Sequence, residues 1–108
     1  MKLAALTTLA LLATTGVASA HDTWSIDQTQ ARQRHRIEQG RHSGELTRRE
    51  YWRLRAEQRH IAAMERRAKA DGVVTAREYR AIRDAQRMAR RHIYEETHDE
   101  QVSRWRYR

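Results

Sequence analysis

The chain contains no cysteine, no proline and no phenylalanine, and it has only four glycines among its 108 residues. The absence of cysteine excludes disulfides and thiol nucleophiles. Because proline is absent, glycine is the residue that separates helices and forms turns. The absence of phenylalanine leaves a thin apolar core, so we expect marginal stability, a homodimer or stabilisation by a partner.

The first twenty residues have the pattern of an export signal. Lys2 opens a short basic region, residues 3–12 are apolar, and residues 17–20 (Val-Ala-Ser-Ala) end in the small-x-small motif that signal peptidase cleaves. We therefore expect a mature protein that begins at His21 and is periplasmic or secreted. No later segment has the roughly 18 to 20 apolar residues of a membrane-spanning helix, so we expect no transmembrane span in the mature chain.

Positive charge dominates the composition. Lys and Arg number 22 against 14 Asp and Glu, and without residues 1–20, which hold one Lys and no acid, the formal net charge falls from +8 to +7. Such an excess favours association with lipopolysaccharide, anionic lipids or nucleic acid. Since export argues against a nucleic-acid partner unless the nucleic acid is extracellular, we expect an anionic envelope component or a partner protein.

One segment occurs twice, 28 residues apart. The sequence SGELTRREY at 43–51 returns as DGVVTAREY at 71–79, and eight of the 19 aligned pairs from 43/71 to 61/89 are identical. A repeat of this length is one helical unit that buries its apolar face only against another unit. The repeat therefore predicts how the chain packs more strongly than what the protein does.

Each copy of the repeat carries the signals of a turn followed by the start of a helix. A threonine three residues before a glutamate forms a capping box, and a glycine ahead of it suits a left-handed position after the preceding helix. These residues are Gly44, Thr47 and Glu50, and in the second copy Gly72, Thr75 and Glu78. We predict an all-α domain over 21–99, an antiparallel three-helix bundle or paired helical hairpins, with helices at about 26–41, 47–70 and 75–97.

The predicted core follows the helical spacing of apolar residues. It consists of Ile26, Ile37, Leu46, Tyr51, Leu54, Ile61, Val74, Tyr79, Ile82 and Ile93, with Trp52, Met64 and Met88 at its edges. Gln58 and Gln86 occupy equivalent core positions in the two copies, and we predict a hydrogen bond between their side chains.

Arginines flank the core positions of the second and third predicted helices. The candidate anion-binding residues are Arg55, Arg59, Arg66, Arg80, Arg83, Arg87 and Arg90. Two such ridges would bind phosphate-rich polymers or lipid head groups through bidentate contacts. The alternative is that their methylene stems cover the thin core while the guanidinium groups stay in water.

Both ends of the mature chain carry weaker candidates. The predicted disordered tail 100–108 alternates cations with aromatics at Arg104, Trp105, Arg106 and Tyr107, a pattern that suits a membrane interface or a solvated end. As an N-terminal residue, His21 would offer an amine and an imidazole to Cu(II), and the alternative is a surface histidine at a frayed end. We expect no cofactor.

Two resemblances add to these observations. The segments 36–47, 71–75 and 91–99 resemble an uncharacterised family of small secreted helical proteins of proteobacteria, over about residues 32–99, which implies an exported helical domain and no particular activity. The two turns are also remotely similar to EF-hand loops, with glycine and glutamate at matching positions. This second resemblance implies turns paired through Leu46 and Val74, but cations stand where calcium ligands would be required.

The sequence shows no catalytic arrangement, because it lacks a cysteine nucleophile, a glycine-rich phosphate loop and a recognisable serine or histidine context. We therefore predict a non-enzymatic interaction protein that binds an anionic envelope component or a partner protein through arginine-rich helix flanks. One alternative is a periplasmic metal-binding or metal-responsive protein that uses His21 or the degenerate loops. The other is a structural, oligomeric helical spacer.

Overall fold

The computed structural model describes residues 23–99, which form an all-α bundle of three helices. They are α1 (Trp24–Ser43), α2 (Arg48–Lys69) and α3 (Ala76–Thr97), and each helix contacts the other two. The predicted fold is confirmed, and α1 extends two residues beyond the predicted range at each end. The predicted signal peptide, His21 and the tail 100–108 lie outside the described residues.

Both repeat-encoded helices begin with a complete capping box, as predicted. The Glu50 amide donates to Thr47 Oγ1 at 3.2 Å, and the Thr47 amide donates to Glu50 Oε1 at 2.8 Å. The Thr75 and Glu78 pair repeats these bonds at 3.1 and 3.3 Å. Two otherwise unpaired amides at each helix start are thereby satisfied, which fixes where α2 and α3 begin.

Glycine allows the chain to turn at two places. Gly44 and Gly72 have φ angles of 81° and 83°, left-handed conformations that side chains with a Cβ rarely adopt. A third glycine, Gly40, lies inside α1, where an added Cβ would come within 2.9 Å of Leu46. The absence of a side chain at Gly40 therefore lets the first turn fold closely against α1.

The apolar core is divided into two clusters. One contains Ile26, Ile61, Ala68, Val74, Ile82 and Ala89, with Met64 and Tyr79 packed against it. The other contains Ile37, Leu46, Tyr51, Leu54 and Ile93. The predicted core is confirmed except that Tyr79 is only half-buried, and the predicted edge residues Trp52 and Met88 are 53% and 57% exposed.

The clusters correct one expectation drawn from the EF-hand resemblance. Leu46 and Val74 lie in different clusters, so the two turns are not paired. The physical reason is the topology: when three helices run up, down and up, the first and second turns lie at opposite ends of the bundle.

Buried glutamines from all three helices form a hydrogen-bonded layer in the core. Gln58 Nε2 donates to Gln33 Oε1 at 2.8 Å, and Gln33 Nε2 donates to the Gln86 carbonyl oxygen at 2.8 Å. Gln86 Nε2 in turn donates to the Ile26 carbonyl oxygen at 3.0 Å. The prediction that Gln58 and Gln86 bond each other is wrong, because Gln33 of α1 lies between them and links all three helices.

Candidate functional site

A groove of about 470 Å³ runs between α1 and α3 and is lined by five arginines. Arg32 and Arg36 come from α1, and Arg83, Arg87 and Arg90 come from α3. The other lining residues are Thr29, Gln33, Gln86 and Ile93, so no carboxylate of residues 23–99 lines the groove. Three of the seven predicted anion-binding residues therefore meet two arginines of α1 that the sequence analysis did not single out.

Arg83 is held in place by the bundle. Its Nη1 donates to Thr29 Oγ1 at 2.8 Å and to Gln86 Oε1 at 2.9 Å, and it lies 3.5 Å from the Ser25 carbonyl oxygen. Gln86 belongs to the buried glutamine layer, so the acceptor that orients Arg83 is itself fixed by α1. The Nη2 and Nε groups of Arg83 have no acceptor within residues 23–99 and are available to a ligand.

Two cationic side chains converge on a single hydroxyl. Arg32 Nη2 donates to Thr29 Oγ1 at 3.3 Å, and Arg83 donates to the same oxygen. The two nitrogens are therefore at most about 6 Å apart, close enough for like charges to repel appreciably. Among the described residues no carboxylate pairs with either arginine, so an added anion would relieve this repulsion.

The remaining arginines of the groove differ in how far they are neutralised. Arg36 makes a bidentate pair with Glu45, at 3.2 and 3.0 Å, and this hydrogen bonding, followed by that from Ser43, lowers the pKa of the Glu45 carboxyl. Arg87 pairs with Asp84. Arg90 has no carboxylate partner in the described part of the chain. Arg32, Arg83 and Arg90 thus give the groove three unneutralised positive charges.

The arginines of α2 do not extend this groove. Arg55 lies 3.8 Å from Glu38 Oε1 of α1, which also accepts a 2.6 Å hydrogen bond from the Tyr51 hydroxyl. Thr29 and Glu38 are nine residues apart, which is two and a half helical turns, so they occupy opposite faces of α1. The two predicted ridges therefore lie on different flanks of the bundle and do not form one surface.

The other predicted residues lie at the surface away from the groove. Arg59, Arg66 and Arg80 are exposed and do not line it. The predicted tail residues Arg104, Trp105, Arg106 and Tyr107 and the candidate metal ligand His21 lie outside the described residues. The sequence signal that would have found Arg32 and Arg36 is their spacing with Thr29, which is the same three-and-four pattern as on α3.

A second groove, between α2 and α3, has three glutamates in its lining. It is lined by Glu50, Arg53, Leu54, Glu57, His92 and Glu96. His92 Nδ1 lies 2.8 Å from Glu57 Oε2, and Arg53 Nη2 donates to Glu96 Oε1 at 3.3 Å. Hydrogen bonding with Glu50, followed by burial, raises the pKa of Glu96 to about 7.

The carboxylates of the two turns are engaged in the fold. Glu50 and Glu78 accept bonds from their cap amides, and Asp71 Oδ1 accepts from the Val73 amide at 3.2 Å. Over residues 23–99, no three histidine, aspartate or glutamate side chains are grouped so as to hold a metal ion.

None of the described helices combines the length and apolar character required to cross a membrane.

Comparisons with models of known protein families, with curated proteins and with solved structures give no match for this chain. The two resemblances given above therefore stay predictions. We infer the function from the geometry of the arginine groove.

Proposed function

We propose that this protein is an exported, non-enzymatic helical module that binds an anionic component of the cell envelope in the groove between α1 and α3. The supporting observation is that five arginines, and no carboxylate of the part of the chain that the structure describes, line this groove. Three of them, Arg32, Arg83 and Arg90, have no carboxylate partner among residues 23–99. Charge-assisted contacts from several guanidinium groups are the usual means of holding a multiply charged anion.

The contrast between the bundle's flanks supports this assignment over a purely solvated arginine surface. On the α2 flank, Arg55 is paired with Glu38, and on the α2 and α3 flank, Arg53 is paired with Glu96. Both are pairs between helices at the surface of the bundle, where exposed charges commonly pair without a ligand. Among the flanks described, only the groove between α1 and α3 has arginines and no acid in its lining, and three of its five arginines have no described carboxylate partner.

Vesicle binding tests the proposal. The purified protein is titrated with vesicles that contain anionic lipid or lipopolysaccharide and, in parallel, with zwitterionic vesicles, at several salt concentrations. We expect binding to anionic vesicles only, with an affinity that falls as salt screens the charges. An absence of salt-dependent binding would contradict the proposal.

A pair of matched double variants separates the groove from net charge. The change Arg83→Gln with Arg90→Gln removes two groove cations, and Arg59→Gln with Arg66→Gln removes two exposed cations of α2. We expect the groove variant to lose about tenfold or more in affinity and the control to stay within about twofold. Equal losses in both variants would show that net charge, and not the groove, carries the binding.

An acidic partner protein is the competing ligand for the same groove. It would leave the vesicle assay negative while a binding assay against envelope proteins remained sensitive to Arg83→Gln with Arg90→Gln. Both ligands can be tested with the same two double variants.

A further inference from the structure

The centre of the arginine groove offers hydrogen-bond donors and almost no free acceptors. Both amide groups that reach its floor are engaged: Gln33 bonds Gln58 and the Gln86 carbonyl oxygen, and Gln86 bonds Arg83 and the Ile26 carbonyl oxygen. Thr29 Oγ1 accepts from two arginines. A hydroxyl oxygen has two acceptor lone pairs, so the proton of Thr29 remains to be donated.

We propose that this centre is a subsite for a phosphate monoester. The phosphate would lie between Arg32 and Arg83 and accept a hydrogen bond from the Thr29 hydroxyl. The inference rests on the proposed function and names the chemical class of its ligand. Arg83 would contribute Nη2 and Nε, which the fold leaves unoccupied, and Arg32 would approach from the opposite wall of the groove. Arg90, nearly two helical turns along α3 from Arg83, would reach a second anionic group of the same ligand.

Geometry favours a phosphate over a carboxylate. A carboxylate is planar and has two oxygens, and one guanidinium satisfies both, as Arg36 does with Glu45 in this molecule. A phosphate monoester presents three unsubstituted oxygens in different directions and carries up to two charges. Donors that converge from α1, α3 and a hydroxyl match three such oxygens better than they match two coplanar ones.

Preorganisation identifies Arg83 as the principal ligand of the subsite. Its Nη1 is fixed by Thr29 and Gln86, so little side-chain entropy remains to be lost when an anion binds. Its repeat equivalent, Arg55, is already paired with Glu38. These two arginines therefore provide matched positions for substitution in opposite electrostatic surroundings.

Phosphatidic acid and phosphatidylglycerol vesicles, adjusted to equal surface potential, provide the test, because only the first lipid carries a phosphate monoester. We expect the protein to prefer phosphatidic acid by about tenfold, the effect of one additional charge-assisted contact. Arg83→Lys, which keeps the charge and loses the forked donor, should abolish the preference, and Thr29→Val should reduce it. Arg55→Lys should leave it unchanged, and circular dichroism checks that each variant is folded.

The outcomes distinguish the two proposals. Equal affinity for both vesicles, or an unchanged preference in Arg83→Lys, would overturn the phosphate subsite while leaving anion binding intact. Failure to bind either of these vesicles and lipopolysaccharide vesicles as well would overturn the proposed function itself. Calorimetry with pyrophosphate, with citrate as the carboxylate control, identifies the source: heat with pyrophosphate alone supports a soluble phosphate ligand, and a preference seen only on vesicles supports a lipid head group.

Discussion

In the first copy of the repeat, Arg55 faces Glu38 of α1 at 3.8 Å, whereas in the second copy the equivalent Arg83 donates to Thr29 of α1 at 2.8 Å. The repeated tyrosines differ in the same way. The Tyr51 hydroxyl donates to Glu38 at 2.6 Å, while the Tyr79 hydroxyl is bonded to the Ser25 hydroxyl at 2.9 Å. The first copy of the repeat therefore contacts a carboxylate of α1, and the second copy contacts two hydroxyls of α1.

This difference shows which features the repeat determines and which it does not. The caps and left-handed glycines depend on a few neighbouring residues, so both copies form them alike. The electrostatic partner of each arginine comes from α1, which is outside the repeat and presents opposite faces to the two copies. A neutralised flank and a cationic groove therefore arise from equivalent arginines.

The largest expected effect comes from making the second copy resemble the first. Thr29→Glu places a carboxylate opposite Arg83, as Glu38 stands opposite Arg55, and should weaken binding to anionic vesicles by about thirtyfold. Ala31→Glu adds the same charge to α1 on an exposed position about 200° away, and should weaken binding by less than about threefold. Similar losses in the two variants, measured by vesicle titration, would contradict a local role for Thr29.

The glycines of the two turns test whether the copies are locally equivalent. Gly44→Ala and Gly72→Ala each force a Cβ into a left-handed conformation and should each lower the free energy of unfolding by about 1 to 2 kcal/mol. None of the described residues has an atom within 4 Å of an added Cβ at Gly72, so backbone strain is the expected cause there. Chemical denaturation measures both values, and a neutral effect at either position would argue against a left-handed backbone there.

The capping threonines should respond alike, and less strongly. Thr47→Ala and Thr75→Ala each remove the acceptor for an N3 amide and should each lower the free energy of unfolding by about 1 kcal/mol. Thr47→Ser and Thr75→Ser retain the oxygen and are the controls. Thermal unfolding with both alanine variants would reveal a difference between the copies, and a serine variant as unstable as its alanine counterpart would exclude capping as the cause.

The smallest expected effect is a dependence of stability on pH, and it involves Glu50, the cap glutamate of the first copy, and its neighbour Glu96. Glu96 lies beside Glu50 of the first copy, and its pKa is raised to about 7, first by hydrogen bonding with Glu50 and then by burial. A carboxyl whose pKa is higher in the folded state binds more protons there, so its contribution to stability is complete below about pH 4.5 and disappears as pH rises through 7. Because Glu96 remains partly exposed, we expect a loss of less than about 1 kcal/mol.

Unfolding measured between pH 4.5 and 8 checks this expectation. Glu96→Gln should flatten the profile, while the exposed neighbour variant Glu95→Gln should keep it. A profile that rises with pH through this range in the unmodified protein, or that is unaffected by Glu96→Gln, would contradict the assignment.

The sequence allowed most of the fold to be predicted, because the signals involved are local. Capping boxes at Thr47 and Thr75 and glycines at the turns determine where α2 and α3 begin, and apolar spacing identifies the core. The role of Gln33 was not predictable, since it depends on which helix lies between the two repeated glutamines.

The site was predictable only in part, for a related reason. The ridge of Arg83, Arg87 and Arg90 follows from spacing along one helix. Its completion by Arg32 and the neutralisation of Arg55 depend on how α1 is rotated in the bundle, which no local pattern specifies. Spacing therefore indicated which arginines share a flank, and packing determined which of them remain unneutralised.

Nuclear magnetic resonance of the arginine side chains tests the central claim most directly. The Nε–H signals of the protein are followed during titration with pyrophosphate at low ionic strength. We predict saturable shifts for Arg83 and Arg32 and no comparable shift for Arg55. Equal shifts for Arg55 and Arg83, or no saturable shift at Arg83 with either pyrophosphate or a soluble short-chain phosphatidic acid, would contradict the claim that α1 leaves only the second copy's arginine free to bind an anion.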